Sequence, residues 1–158
     1  MKKSFTFYLW PLSNLIVILY ALYIFMGAQE PLAIHFDAAG VPNNVVPPGM
    51  FLAIILMILF TSNLGLIVIY RFVDRLWPGY INIPFKEYWV SSESRQEDGK
   101  RMTKDMLSVV GIFVGVIHIL CLLAIGDKLS PAIILPIALA LSGVMLVGIF
   151  LMAKPPKQ

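Results

Sequence analysis

The sequence predicts an all-α integral membrane protein with four transmembrane helices, and three observations carry that reading. First, the 158 residues are 59% hydrophobic and only 13% charged, against about a quarter charged in an ordinary soluble domain. Second, uncharged runs occupy residues 4–29, 38–70, 106–126 and 129–153, and each exceeds the ~20 residues a helix needs to cross a hydrocarbon core about 30 Å thick. Third, the charges are gathered into short islands between these runs, which leaves no stretch for a separate soluble domain. Residues 1–158 therefore read as a single four-helix membrane domain.

The elements follow in order. Span one covers about residues 8–26, with Pro11 in its first turns, where a missing backbone donor costs little. Span two covers about 50–71 and span three about 106–125. Span four covers about 130–152, opening on Ser130-Pro131 as a cap and first helical residue and stopping before Lys154-Pro155-Pro156. Spans three and four form a tight antiparallel pair, whereas spans one and two are separated by a long outer loop. Tyr8, Trp10, Trp77, Tyr80, Tyr88 and Trp89 fall near the ends of spans, where amphipathic rings sit at headgroup level.

Lysine and arginine set the orientation. Lys2 and Lys3 precede span one, Arg71, Arg75, Lys86, Arg95, Lys100, Arg101 and Lys104 lie between spans two and three, and Lys154 and Lys157 follow span four. Residues 27–49 carry none, and the turn at 127–130 carries only Lys128. The positive-inside rule then places both termini and the central loop in the cytoplasm, N-in and C-in. The first apolar stretch is too long for a signal-peptide core, and Met26-Gly27-Ala28 is a poor cleavage site, so it reads as a retained span.

Several function classes are excluded at this level. The formal charge of +3 follows membrane topology and not a basic stripe interleaved with aromatics, which argues against nucleic acid. Cys121 is the only cysteine, so no internal disulfide or cysteine-rich metal knuckle can form. No Gly-x-Ser-x-Gly, His-Glu-x-x-His or phosphate-binding loop is present, which points to a non-enzymatic protein without a cofactor. The unequal loops also argue against an inverted-repeat transporter.

Three constellations remain. The outer loop carries Glu30, His35 and Asp37, an imidazole and two carboxylates that could take a divalent ion, a proton or an incoming peptide at the outer face. Their spacing lacks a metal signature. The competing reading makes Asp37 and Gly40 turn residues, with Ile34 and Phe36 packed on the core. Within the spans, counting at ~1.5 Å per residue places Asn14 about 9 Å deep, Asn63 about 12 Å, Ser142 about 15 Å and His118 about 18 Å, an arrangement suited to one polar ladder. The Gly111-x-x-x-Gly115 pair, on the same helical stripe as His118 and Leu122, permits close helix approach. On span four, Ala132, Pro136, Ala140 and Gly143 form a small-residue face suited to packing. The ladder fixes bundle register through interhelical hydrogen bonds or lines a proton or small-solute path; the lack of any Asp or Glu within the spans favours the first.

The third constellation lies after span two. Residues 80–90 are apolar and aromatic and are expected to lie extended on the membrane surface or in a groove, with Asn82, Pro84, Lys86, Glu87, Tyr88 and Trp89 as a docking candidate for a cytoplasmic or membrane protein. Ser94-Arg95-Gln96-Glu97 fits a capping box opening a solvated helical extension into span three.

His35-Phe36-Asp37-x-x-Gly40-x-Pro42, followed after span two by Asn82-Ile83-Pro84-x-Lys86-Glu87-Tyr88-Trp89, resembles the bacterial membrane family whose domain forms the N-terminal part of SdpI-type immunity proteins. The outer motif is partial: Ala33 stands where the family usually has proline, and Asn43 and Asn44 where it often has aspartate and lysine. The resemblance implies a multi-pass protein of the bacterial plasma membrane. The function expected of the chain is binding of a partner or immunity to a membrane-active peptide, with small-solute or proton transport or an accessory role in a larger membrane complex as the alternative.

Overall fold

The computed structural model describes residues 5–37, 39–126 and 129–155. Lys2, Lys3, Ala38, Asp127, Lys128 and Lys157 lie outside these described residues. Helix α1 spans Phe5–Gly27. Strands β1 (Leu32–Phe36) and β2 (Pro42–Val46) follow as an antiparallel hairpin, and α2 (Pro48–Leu76), α3 (Lys86–Val90), α4 (Glu93–Ile125) and α5 (Pro131–Ala153) complete the chain. Helices α1, α2, α4 and α5 are long and apolar enough to cross a membrane, as the sequence predicts. Large apolar side chains such as Leu19, Phe60, Leu139 and Val147 are exposed around them, the surface expected of helices surrounded by acyl chains.

Helix α4 is the hub, packing against α1, α2, α3 and α5 and most extensively against α1. The α1 side of that contact is a stripe of Trp10, Ser13, Val17, Ala21 and Ile24, a three-and-four spacing that keeps one seam facing its neighbour. On α4 the buried positions include Ser108, Gly111, Gly115 and Leu122. A Cβ on Gly111 would collide with the indole of Trp10, and one on Gly115 would sit 2.6 Å from Ser13 Oγ. Two missing side chains thus set the approach of α1 to α4. His118 is only half-buried, and Ile119 packs on the core beside Leu122 in its place.

Two apolar clusters hold the ends. At the hairpin end, Val17, Ala21 and Ile24 of α1, Phe51, Ile55 and Leu59 of α2, Leu122 of α4 and Val46 of β2 form one cluster, onto which Leu32 and Ile34 of β1 fold. At the charged end, Trp77, Ile83, Trp89, Met102, Met106 and Ala153 form the other. At ~1.5 Å per residue, α2 and α4 are about 43 and 50 Å long and outrun a 30 Å core. Their extensions are tied by Lys104 and Asp74 at 2.7 Å.

Four expectations are corrected or refined. The fold is not all-α: in the long connection between α1 and α2, residues 32–46 pair as a β-hairpin with irregular register. The tryptophan rings are packed inside the protein and not laid open at its surface: Trp10, Trp77 and Trp89 are 5%, 6% and 8% exposed, with Trp10 over Gly111, Trp77 over Gly99 and Trp89 bonded to the end of α5. Helix α4 is capped by Ser92, whose side chain accepts from the Arg95 amide, and not by Ser94. The small-residue face of α5 points outward, with Ala132, Pro136, Ala140 and Gly143 exposed and open space beside Gly143.

The α1–α4 seam makes a direct prediction. Gly111→Ala drives a methyl group into the Trp10 indole and should destabilise the bundle by about 1–3 kcal/mol, the usual cost of overpacking. Gly143→Ala, facing open space, should change stability by less than about 0.5 kcal/mol; thermal unfolding of both variants in the same detergent compares them.

Candidate functional site

Between α1 and α2, the half-buried Asn14 and Asn63 face each other and exchange both amide hydrogen bonds. Asn14 Nδ2 donates to Asn63 Oδ1 at 3.0 Å, and Asn63 Nδ2 donates to Asn14 Oδ1 at 3.1 Å. The second hydrogens go to backbone carbonyls one turn earlier, from Asn14 to Trp10 O at 3.1 Å and from Asn63 to Leu59 O at 2.7 Å. Trp10 Nε1 then donates to Asn63 Oδ1 at 2.7 Å. All four amide hydrogens and both lone pairs of the Asn63 carbonyl are therefore used. Local helix geometry explains the placement: Asn63 continues the buried α2 stripe of Phe51, Ile55 and Leu59 by one further turn.

His118 and Ser142 do not join this pair. His118 Nδ1 donates to Val114 O at 2.7 Å, and Ser142 Oγ donates to Ala138 O at 2.7 Å, each within its own helix. The expected four-residue ladder is thus a two-residue clasp plus two locally satisfied side chains. The physical reason is reach: a histidine or serine in a helix bonds the carbonyl one turn back whenever no partner helix presents a group within range.

The outer-loop residues are likewise not gathered into one site. Asp37 Oδ1 accepts from the amides of Ala39 and Val41 at 2.9 and 2.8 Å, and Gly40 adopts φ 80°, closing the hairpin in the way the turn reading anticipates. His35 Nδ1 donates to Asn43 Oδ1 across the two strands. Glu30 is exposed ahead of β1. Among the described residues, no three of His, Cys, Asp and Glu come together as metal ligands.

At the charged end, residues 80–89 divide into struts and outward groups. Trp89 is a strut: its Nε1 donates to Ala153 O at 2.9 Å, tying α3 to the end of α5. Tyr88 is half-buried, edge-on to Trp89 and under the Arg95 guanidinium, which lies 4.4 Å from the ring centroid. Lys86 is half-buried at the start of α3. Asn82, Pro84 and Glu87 are exposed, and Tyr80 is 87% exposed. Phe85 holds a left-handed conformation at φ 59°, ψ 31° with its ring against Phe150. Such a conformation is costly for a bulky residue and persists only where its surroundings fix it.

Family models, curated proteins and solved structures were compared, and none matches the chain. The site must be read from its own chemistry.

Sequence reasoning missed Trp10 as a member of the clasp, Phe85 as the left-handed residue ahead of α3, and Tyr70, whose ring packs on Phe7 and Trp10. The only available signal for Trp10 was its i, i+4 relation to Asn14. A double-mutant cycle with Asn14→Ala and Asn63→Ala should show coupling of about 0.6–1.7 kcal/mol, the range for interhelical hydrogen bonds in membranes. His118→Ala combined with Asn63→Ala should be additive within about 0.5 kcal/mol; unfolding midpoints of the single and double variants in detergent decide both.

Proposed function

We propose that the protein is a non-enzymatic, multi-pass protein of the bacterial plasma membrane, with both termini and the charged end in the cytoplasm, that holds a protein partner on the ledge from Tyr80 to Glu87. The observation that carries this reading is the division of labour in that ledge. Trp77, Ile83 and Trp89 are buried beneath it, while Tyr80, Asn82, Pro84 and Glu87 face outward from a backbone held in a strained conformation at Phe85. Strain fixed in this way is a common mark of recognition segments, and a fixed ledge loses little entropy on binding. The lysine and arginine distribution supports the orientation. The resemblance to the SdpI N-terminal family supports the bacterial membrane assignment.

Two neighbouring readings have less support. Immunity to a membrane-active peptide would use His35 and Asp37 at the outer face, yet both are engaged in the hairpin's own bonds. A transport path would use the polar residues of the spans, yet the amide hydrogens of the Asn14–Asn63 clasp are used up and His118 bonds its own helix.

The test is purification of the full chain from its native membrane in mild detergent, followed by identification of stoichiometric companions by mass spectrometry. A Tyr80→Ala/Asn82→Ala/Glu87→Lys variant changes only exposed groups and should fold, but should lose a companion at least tenfold. Equal recovery from wild type and variant, or a homomer in both, would sink the reading; the test does not touch Trp89, whose removal would loosen α5.

A further inference from the structure

Beside the asparagine clasp, the bundle surface is cut by a groove of about 690 Å³ between α1 and α2. Its walls include Phe7, Leu15 and Ile18 of α1 and Leu56, Phe60 and Ile67 of α2, with Asn14 and Asn63 at its floor. From Phe7 to Ile18 it runs about 16 Å along the helix axis at 1.5 Å per residue. We propose that this groove seats an acyl chain of an anionic phospholipid from the leaflet at the charged end, with the lipid phosphate held at its mouth by Arg71 and the Tyr70 hydroxyl.

Three features of the groove select this occupant. The floor is polar by composition but closed by chemistry, because every amide hydrogen of the clasp already has an acceptor. A water or polar solute would find few of the two to four partners it needs. The walls and their surroundings are apolar, with Leu15, Leu56, Phe60 and Ile67 exposed, so the groove opens towards hydrocarbon. The clasp also holds α1 and α2 together at the floor, which makes the space a slot between adjacent helices. A flexible chain of methylenes enters such a slot more readily than a helix 10–12 Å across.

The mouth supplies charge complementarity. Tyr70 packs its ring against Phe7 at 5.5 Å and Trp10 at 6.3 Å, which places it at the charged end of the groove. Arg71 is exposed and lies one helical turn beyond Ile67; Asp105, Arg71 and Asp74, in decreasing order, act electrostatically on the Tyr70 hydroxyl. Arg71 belongs to neither of the ion pairs found among the described residues, Lys100 with Glu97 and Lys104 with Asp74. Arg75, exposed one turn further on, adds a second positive charge over Phe72. Two carboxylates stand nearby: Asp74, exposed but paired with Lys104, and Asp105, half-buried on α4 and in neither ion pair. With Arg71, Arg75 and Lys104 set against Asp74 and Asp105, the formal charge at the mouth is positive by one. Basic pockets between transmembrane helices are suited to anionic lipid headgroups for this reason.

The experiment is native mass spectrometry of the full chain in mild detergent, equilibrated with an equimolar mixture of phosphatidylglycerol and phosphatidylcholine bearing the same acyl chains. Wild type should retain one phosphatidylglycerol in preference to phosphatidylcholine. Arg71→Gln, an exposed change that leaves the fold alone, should lower phosphatidylglycerol retention about fivefold, the effect of one basic group near the surface, and leave phosphatidylcholine nearly unchanged. Leu15→Trp, which fills the slot from an exposed wall position, should reduce retention of both lipids, and Ile67→Trp should repeat that effect from the opposite wall. Wild type without a bound lipid, equal retention of the two lipids, or retention unaffected by Arg71→Gln and by both wall variants would overturn the proposal and leave only the nonspecific annulus. A photoreactive group at Leu15 that captures a second copy or another protein instead of lipid would overturn it as well.

Discussion

Everything in the bundle leans on the meeting of Trp10 with Gly111. The indole lies where a side chain on α4 would otherwise be, and from there its N–H reaches Asn63 on α2. One aromatic ring thus touches two other helices, filling space against α4 and donating a hydrogen bond to α2. In hydrocarbon the packing of apolar surfaces against each other gives little advantage over packing against lipid, so close backbone approach and satisfied polar groups decide which helices associate. The glycines provide the first and the asparagine clasp the second. With α1 fixed to α4 by the seam and to α2 by the clasp, the three helices form a unit, and α5 docks on α4 beside it.

The two ends of this unit are finished differently. The hairpin end is closed by a short β element whose apolar residues Leu32, Ile34 and Val46 belong to or pack on the apolar cluster there, while His35, Asp37 and Asn43 maintain the hairpin. His35 and Asn43 bond each other, and Asp37 takes the turn amides. The charged end is closed by two buried tryptophans, with Trp77 lying over Gly99 and Trp89 bonded to the last turn of α5, and Tyr80, Asn82, Pro84 and Glu87 face outward. That asymmetry is why the proposed partner surface lies at the charged end.

The clasp also shapes the groove beside it. A pair of amides that satisfies itself can sit at the floor of an apolar slot without attracting water, because a polar group costs free energy in hydrocarbon only while it lacks a partner. The same residues that hold α1 to α2 therefore line the groove between them, and the Tyr70 ring packs on Phe7 and Trp10 beside it.

The number of spanning helices and the separation of apolar from charged segments were determined by the sequence alone, because the length of an uncharged run and the thickness of a bilayer are compared along one dimension. The turn role of Asp37 and Gly40 was also legible, since it depends on neighbours within four residues. Only the tertiary structure decided which polar residues meet. Asn14 and Asn63 are 49 positions apart, whereas His118, expected beside them, bonds a carbonyl four residues away. It also decided that Trp10 and Trp89 are packed inside the protein, that residues 32–46 pair as strands, and that the small face of α5 looks outward. Each of these depends on what a distant segment presents at a given side chain, and apolar periodicity carries little of that information in a chain whose helices are apolar on every face.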